Sequence, residues 1–202
     1  MKYLAIDTSG KNLTLVLNID GEIHSYFDSE CGVNHSTQLM PKLEQILNGA
    51  KCNLSELDFI ACVVGAGSFT GIRIGVATVK ALCFAYNLPC LSITSFDTLA
   101  YNKKSGKVLA VIDAKHDGFY VCGYCDGNVD MQPKYVMRDE LDQIKGEYTL
   151  VASEDIDGLG VEVVKVLDGL VSAVKVKEKQ ATLDLESLTP LYVRKSQAEE
   201  GR

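Results

Sequence analysis

Two periodicities alternate along the chain. Leu4 to Ile23 reads "LAIDTSGKNLTLVLNIDGEI": an apolar strand closing on Ile-Asp, a polar turn, the β-rich run "LTLVLNI", then Asp-Gly, a pair that supplies the positive φ angles of a tight hairpin. From Asn34 the period lengthens. In "NHSTQLMPKLEQILNGA" the apolar positions 39, 40, 43, 46 and 47 form a helical stripe, with Gly49 placed as its C-terminal cap. "LDFIACVVG" predicts a buried strand, and "TGIRIGVATVKALCFAYN" a helix, because Ile72, Val76, Val79, Leu82/Cys83 and Tyr86 recur at helical spacing. "PCLSI" reads as another buried strand, and a short helix begins near Ser95. Strands are expected near 107–113, 118–125, 129–137 and 148–152, a helix across 169–180, and an irregular end in "DLESLTPLYVRKSQAEE".

The opening pattern recurs. "AVIDAKHDGFYVCGYCDGNV" (Ala110 to Val129) repeats the strand closing on Ile-Asp, the polar turn, the apolar run and the Asp-Gly pair. Asp7 precedes Asp20 by 13 residues and Asp113 precedes Asp126 by the same 13, so the copies are offset by a constant 106. The chain therefore reads as two lobes on one plan, 1–102 and 103–202, each opening with a β-meander. A meander followed by alternating helix and strand is an α/β layout with a mixed sheet.

Composition narrows the reading. In 202 residues, 47% apolar content suffices for a sizeable core. Twenty basic against 27 acidic residues give a net charge of −7, which opposes binding of a nucleic-acid backbone by this chain alone. The clusters Lys103/Lys104/Lys107 and Lys175/Lys177/Lys179 read as solvated faces. No apolar run approaches the roughly 20 residues of a spanning helix, and the start "MKYLAIDTSG" turns polar too early for a secretory signal, so a cytoplasmic protein is expected. The seven cysteines lie mostly inside apolar stretches, which suits a reducing compartment. Cys122 and Cys125 are spaced like half a metal or redox site, but residues three apart on a strand point to opposite faces, and no second Cys/His pair completes a site.

Between Val63 and Gly75 the chain reads "VVGAGSFTGIRIG". A glycine loop between a strand and a helix often cradles phosphate, yet Gly65, Gly67 and Gly71 miss the dinucleotide fingerprint by one residue, and Ile72 stands where a phosphate loop needs lysine. Packing accounts for the glycines. Ser68 or Thr70 can cap the helix, Gly67 can adopt a backbone shape closed to other residues, and Gly71 and Gly75 share a helical face that another backbone can approach. Arg73 stands outside that account: a cation in the first turn opposes the helix dipole, so an anionic partner is expected inside or outside the chain.

At these residues a family resemblance emerges. "AIDTS", "HSTQLMPKLEQIL", "GAGSFTGIRIG", "SFDTLA", "IDAKHDGFYV" and "PLYVR" resemble, in order and spacing, the bacterial TsaB family, also called YeaZ, of tRNA threonylcarbamoyladenosine synthesis. Ala66 stands where that family usually has proline, and Lys115 where it commonly has arginine. The resemblance implies the actin/Hsp70/sugar-kinase (ASKHA) fold and a role without chemistry of its own. It implies a dimer with a TsaD-like catalytic subunit that transfers threonylcarbamoyl to tRNA, a small TsaE-like ATPase joining them, and a homodimer when the partner is absent. Contact with tRNA is then indirect. The helices matching the family interface place the partner contact at His35, Leu39, Gly67, Ser68, Phe69, Thr70, Gly71, Arg73, Ile74, Val76, Val79, Lys80 and Cys83, and a charge added at Val76 or Val79 is expected to weaken dimerisation if those side chains face outward.

The residues can be set against that implication. A catalytic relative binds its metal through two histidines four apart on the first helix, whereas His35 is followed four residues later by Leu39, and neither His24 nor His116 completes a site. No metal is expected, and His35 reads as exposed near the helix start. Nucleotide-binding relatives use the first hairpin turn, and "DTSGKN" keeps Asp7, Thr8 and Ser9, although such residues commonly only satisfy a turn. No cofactor is expected, with ATP or ADP confined to a subunit interface. The competing reading is a degenerate ASKHA enzyme, either a phosphotransferase or a metallopeptidase-like protein.

Overall fold

The computed structural model describes residues 1–194, which divide into two compact units. The first is Met1–Thr94 with Val174–Leu191; the second is Ser95–Ala173 with 192–194. This division moves the expected cut from 102/103 to 94/95 and returns a C-terminal piece to the first unit. Local contacts explain both changes. The short helix α3 (Ser95–Ala100) is buried throughout, and its Asp97 accepts a 2.9 Å hydrogen bond from Tyr124 of the second unit's sheet. Thr182 exchanges backbone hydrogen bonds of 2.8 and 2.9 Å with Cys90, and Leu188 sits in the first core.

In the first unit, β1 (Lys2–Asp7), β2 (Leu13–Ile19) and β3 (Glu22–Asp28) form the antiparallel meander, and β4 (Phe59–Val63) and β5 (Cys90–Ile93) add in parallel, giving the order β3-β2-β1-β4-β5. Leu4, Ile6, Leu13, Leu15 and Leu17 form part of one core with Ile60 and Cys62. Leu39 and Leu43 of helix α1 (His35–Ala50), and Ile72, Val76 and Val79 of helix α2 (Phe69–Tyr86), complete it. The C-terminal cap of α1 is Lys51, in the left-handed conformation at φ 52°, and not Gly49, which lies in the helix. By length and composition α2 is apolar enough to cross a membrane, contrary to the expectation that no run comes close. Its buried face, from Gly71 and Ile72 to Cys83, packs in its own unit as that of a core helix does.

The second unit repeats the plan. Strands β6 (Lys107–Asp113), β7 (Gly118–Cys125), β8 (Asn128–Met137), β9 (Thr149–Ala152) and β10 (Glu162–Val163) lie in the order β8-β7-β6-β9-β10, again three antiparallel strands plus two parallel ones. Both Asp-Gly pairs make hairpins with positive φ at both residues, 53° and 102° at Asp20-Gly21, and 48° and 78° at Asp126-Gly127. The copies differ at the first turn. Asp7 pairs with Thr14 but Asp113 pairs with Phe119, so the second turn is one residue tighter, and β8 carries extra residues between Val129 and Lys134 where its pairing with β7 shifts register. Helix α4 (Arg138–Ile144) links β8 to β9, and a loop joins β9 to β10 where the first unit has α2. Helix α5 (Val166–Lys177) follows.

Candidate functional site

The glycine run and the first hairpin turn lock together. Ser68 caps α2, accepting at Oγ from the Gly71 amide at 3.2 Å, as its position predicts. The Ser68 amide donates to the Ser9 carbonyl at 2.7 Å, and Thr8 Oγ1 donates to the Gly71 carbonyl at 2.7 Å. No side chain fits at the contact. A Cβ on Gly67 would lie 2.2 Å from the Ser9 carbonyl oxygen, one on Gly71 2.0 Å from that of Thr8, and one on Gly75 2.6 Å from Thr8 Oγ1. The backbone that approaches Gly71 is therefore the turn of the first strand pair, whereas Gly75 faces the Thr8 side chain. At the other end of the run, the Leu191 amide of "PLYVR" donates to the Val64 carbonyl at 2.7 Å, and the Leu191 carbonyl abuts Gly65.

The nucleotide candidates lie inside this packing. Asp7, Thr8 and Ser9 are buried, and Asp7 Oδ1 accepts from both the Ser9 amide (2.8 Å) and the Ser9 hydroxyl (2.7 Å). Burial pushes the Asp7 carboxyl up, against the lowering effect of those two bonds. His35 is buried too, its Nε2 donating to the Asn12 carbonyl at 3.0 Å, so the reading of an exposed imidazole is corrected: the ring holds the far side of the same turn. Asn12 Oδ1 and Thr14 Oγ1 are the buried side-chain oxygens without a hydrogen-bond partner among the described residues. The Thr8 hydroxyl and the Ser9 amide and hydroxyl are thus each engaged within the chain.

The partner-face candidates separate by burial. His35, Leu39, Gly71, Val76, Val79 and Cys83 face the core of their own unit, which removes them from an outward surface and turns a charge at Val76 or Val79 into a folding defect. Ser68, Thr70 and Arg73 are exposed, and Gly67, Phe69, Ile74 and Lys80 are half-buried. The Arg73 guanidinium lies 6.0 Å from the centre of the Phe69 ring. The face also contains residues that the apolar stripe concealed. Ala77 and Ala81 are exposed, Phe84 is 82% exposed, and Met40 on α1 and Val33 just before it are 49% and 94% exposed. Positions 70, 73, 77, 81 and 84 follow the helical period on the side opposite 72, 76, 79 and 83; that opposition was the available signal.

The second unit's equivalent turn is open. Asp113 Oδ1 accepts from the Lys115 amide at 2.7 Å and Oδ2 from the Lys115 ammonium at 2.8 Å. Burial pushes its carboxyl up, but the Lys115 amide and ammonium outweigh burial and hold it below the ordinary value. Lys115, His116 and Asp117 are exposed, all with positive φ, and border an open cavity of about 460 Å³ with Arg138 and the loop 154–157. Arg138 Nη2 donates to the Asp157 carbonyl at 2.7 Å, and the guanidinium lies over Phe119. Cys122 is buried, donating to the Met131 carbonyl, and Cys125 is half-buried. Burial pushes the Cys83 thiol up to about 12, so that side chain carries no thiolate near neutral pH. Among the described residues no group of three or more His, Cys, Asp or Glu is placed to hold a metal ion.

Comparison with known proteins then settles the family. The family model for TsaD, tRNA N6-adenosine threonylcarbamoyltransferase, matches residues 29–155, more than half of the chain. The Escherichia coli tRNA threonylcarbamoyladenosine biosynthesis protein TsaB is 27% identical, over 98% of this chain and 96% of its own. The chain belongs to the TsaB/YeaZ family. The Bacillus subtilis TsaB is 32% identical over 59% of this chain and 53% of its own length. Among solved structures, a Pseudomonas aeruginosa protein described as similar to peptidase YeaZ superposes with a TM-score of 0.79 at 22% identity, covering 96% of this chain and 99% of that one. Pseudomonas aeruginosa YeaZ gives 0.75 at 23% identity, covering 95% and 99%. These likenesses show the TsaB/YeaZ fold, and the two matching mixed sheets are the two lobes of its ASKHA-like architecture.

Proposed function

We propose that this chain is a non-catalytic partner subunit in tRNA N6-threonylcarbamoyladenosine synthesis. It supports a TsaD-like catalytic subunit through the outward faces of α1 and α2, joined by a TsaE-like ATPase. It self-associates through the same faces when alone and reaches tRNA only through the complex. The observation that carries this reading is the exposed face itself: Phe84 stands 82% exposed beside Ala77 and Ala81, small residues that let another helix approach. The internal engagement of Asp7, Thr8 and Ser9 supports the non-catalytic part, and nucleotide is assigned only to a place where subunits meet.

The test is association of the purified chain with a TsaD-family protein by titration calorimetry, beside Phe84→Glu and Arg73→Glu variants. Phe84→Glu is expected to weaken binding by more than about tenfold, the scale of an interface anchor. Unchanged affinity in both variants, or enzyme-like turnover by the chain alone, overturns the reading.

A further inference from the structure

The hairpin turn does more than close a strand pair. Helix α2 is attached to it at the helix's first turn and nowhere leaves space for slack. The Ser68 amide is held by the Ser9 carbonyl, the Gly71 carbonyl takes the Thr8 hydroxyl, and Gly67, Gly71 and Gly75 have no room for one added carbon. The turn is itself pinned from both sides, by Asp7 Oδ1 on the Ser9 amide and hydroxyl and by His35 on the Asn12 carbonyl. Phe69, Thr70 and Arg73 follow within the first helical turns beyond this contact. Thr8 and Ser9 are fully covered, so they cannot touch a partner themselves.

We infer that the β1–β2 turn is a seat that fixes the position of α2, making Thr8 and Ser9 positioning residues for partner binding at a face they do not reach. This inference rests on the proposed interface. The physical reason is that a packed contact moves in discrete steps: a methyl at the Thr8 Oγ1 position cannot stay 2.7 Å from the Gly71 carbonyl and needs about 3.5 Å, so the first turn of α2 must shift. The Gly71 carbonyl keeps its place in the helical hydrogen-bond ladder, so the shift does not require unfolding.

The experiment compares Thr8→Val with Thr8→Ser, which retains the hydroxyl, each titrated into a TsaD-family protein at a temperature where both are folded, with Phe84→Glu as the direct control. Thr8→Val is expected to weaken binding about fivefold, within the range of coupling through packed residues, and to speed amide exchange at 69–75; Thr8→Ser is expected to bind as the parent does. A role in stability alone would lower the Tm of Thr8→Val and leave its affinity unchanged, which overturns the inference while loss of binding in Phe84→Glu keeps the interface. If Phe84→Glu also binds normally, the interface fails and the inference with it. Should Thr8→Val not fold, Ser9→Ala, which loosens the turn by deleting one bond to Asp7, is read in the same assay against the same outcomes.

Discussion

At the end of its opening strand the first unit carries Asp7 and the second Asp113, and both carboxylates fold the chain back by accepting the amide two residues on. Their surroundings then diverge. The first turn is covered by the glycine run of α2, leaving Thr8 with no exposed surface. The second has only a loop where α2 would stand, and Lys115, His116 and Asp117 remain in solvent. Burial raises the Asp7 carboxyl; at Asp113 a lysine outweighs burial and lowers it. One backbone device thus serves as an internal joint in one half and as an open surface in the other, and what decides between them is whether the segment after the fourth strand brings glycines over the turn.

Substitutions can break that contrast, beginning with the largest effect. Gly71→Ala puts a carbon 2.0 Å from the Thr8 carbonyl oxygen and should cost about 3 kcal/mol, lowering Tm by roughly 6–12 °C in a thermal melt. His116→Gly, in the open turn, should be neutral or stabilising by up to about 1 kcal/mol, because glycine takes the left-handed backbone that His116 adopts at φ 53°.

The two aspartates sharpen the comparison through pH. A raised carboxyl contributes stability that is present below its unfolded value and lost as pH rises through the folded one. Asp7→Asn should therefore raise Tm at neutral pH, with the gain fading in acid. A lowered carboxyl contributes stability above its unfolded value that is lost as pH falls. Asp113→Asn should lower Tm at neutral pH by a small amount, because the Lys115 partner is well exposed, and should converge with the parent in acid. Melts of both variants between about pH 3 and pH 8 check the opposite signs. If both shift in the same direction, the difference between sealed and open turns is wrong.

The strands, the two helices and the repeat were legible because hairpins and amphipathic stripes leave their period in the chain. Asp-Gly marked both second turns correctly, and the shared face of Gly71 and Gly75 already allowed a close approach, which proved to be the Thr8 carbonyl at Gly71 and the Thr8 side chain at Gly75. Other features depend on contacts distant in sequence and have no local signature. His35 is polar at a helix start, and only the fold brings the Asn12 carbonyl to it. On α2 nearly every position is small or apolar, so the stripe alone could not say that Val76 faces inward and Phe84 outward. Lys51 displaced Gly49 as a cap because α1 runs on through Ala50. A C-terminal piece joins the first unit because Thr182, far along the chain, pairs with Cys90.

The first unit's discontinuity bears on how the protein is made. A ribosome delivers Val64 and Cys90 long before Leu191 and Thr182, with the whole stretch Ser95–Ala173 in between. During synthesis the edge of β5 and the glycine run therefore wait without their backbone partners while the later half has time to fold. A nascent chain arrested before Thr182 should expose that edge to protease or chaperone.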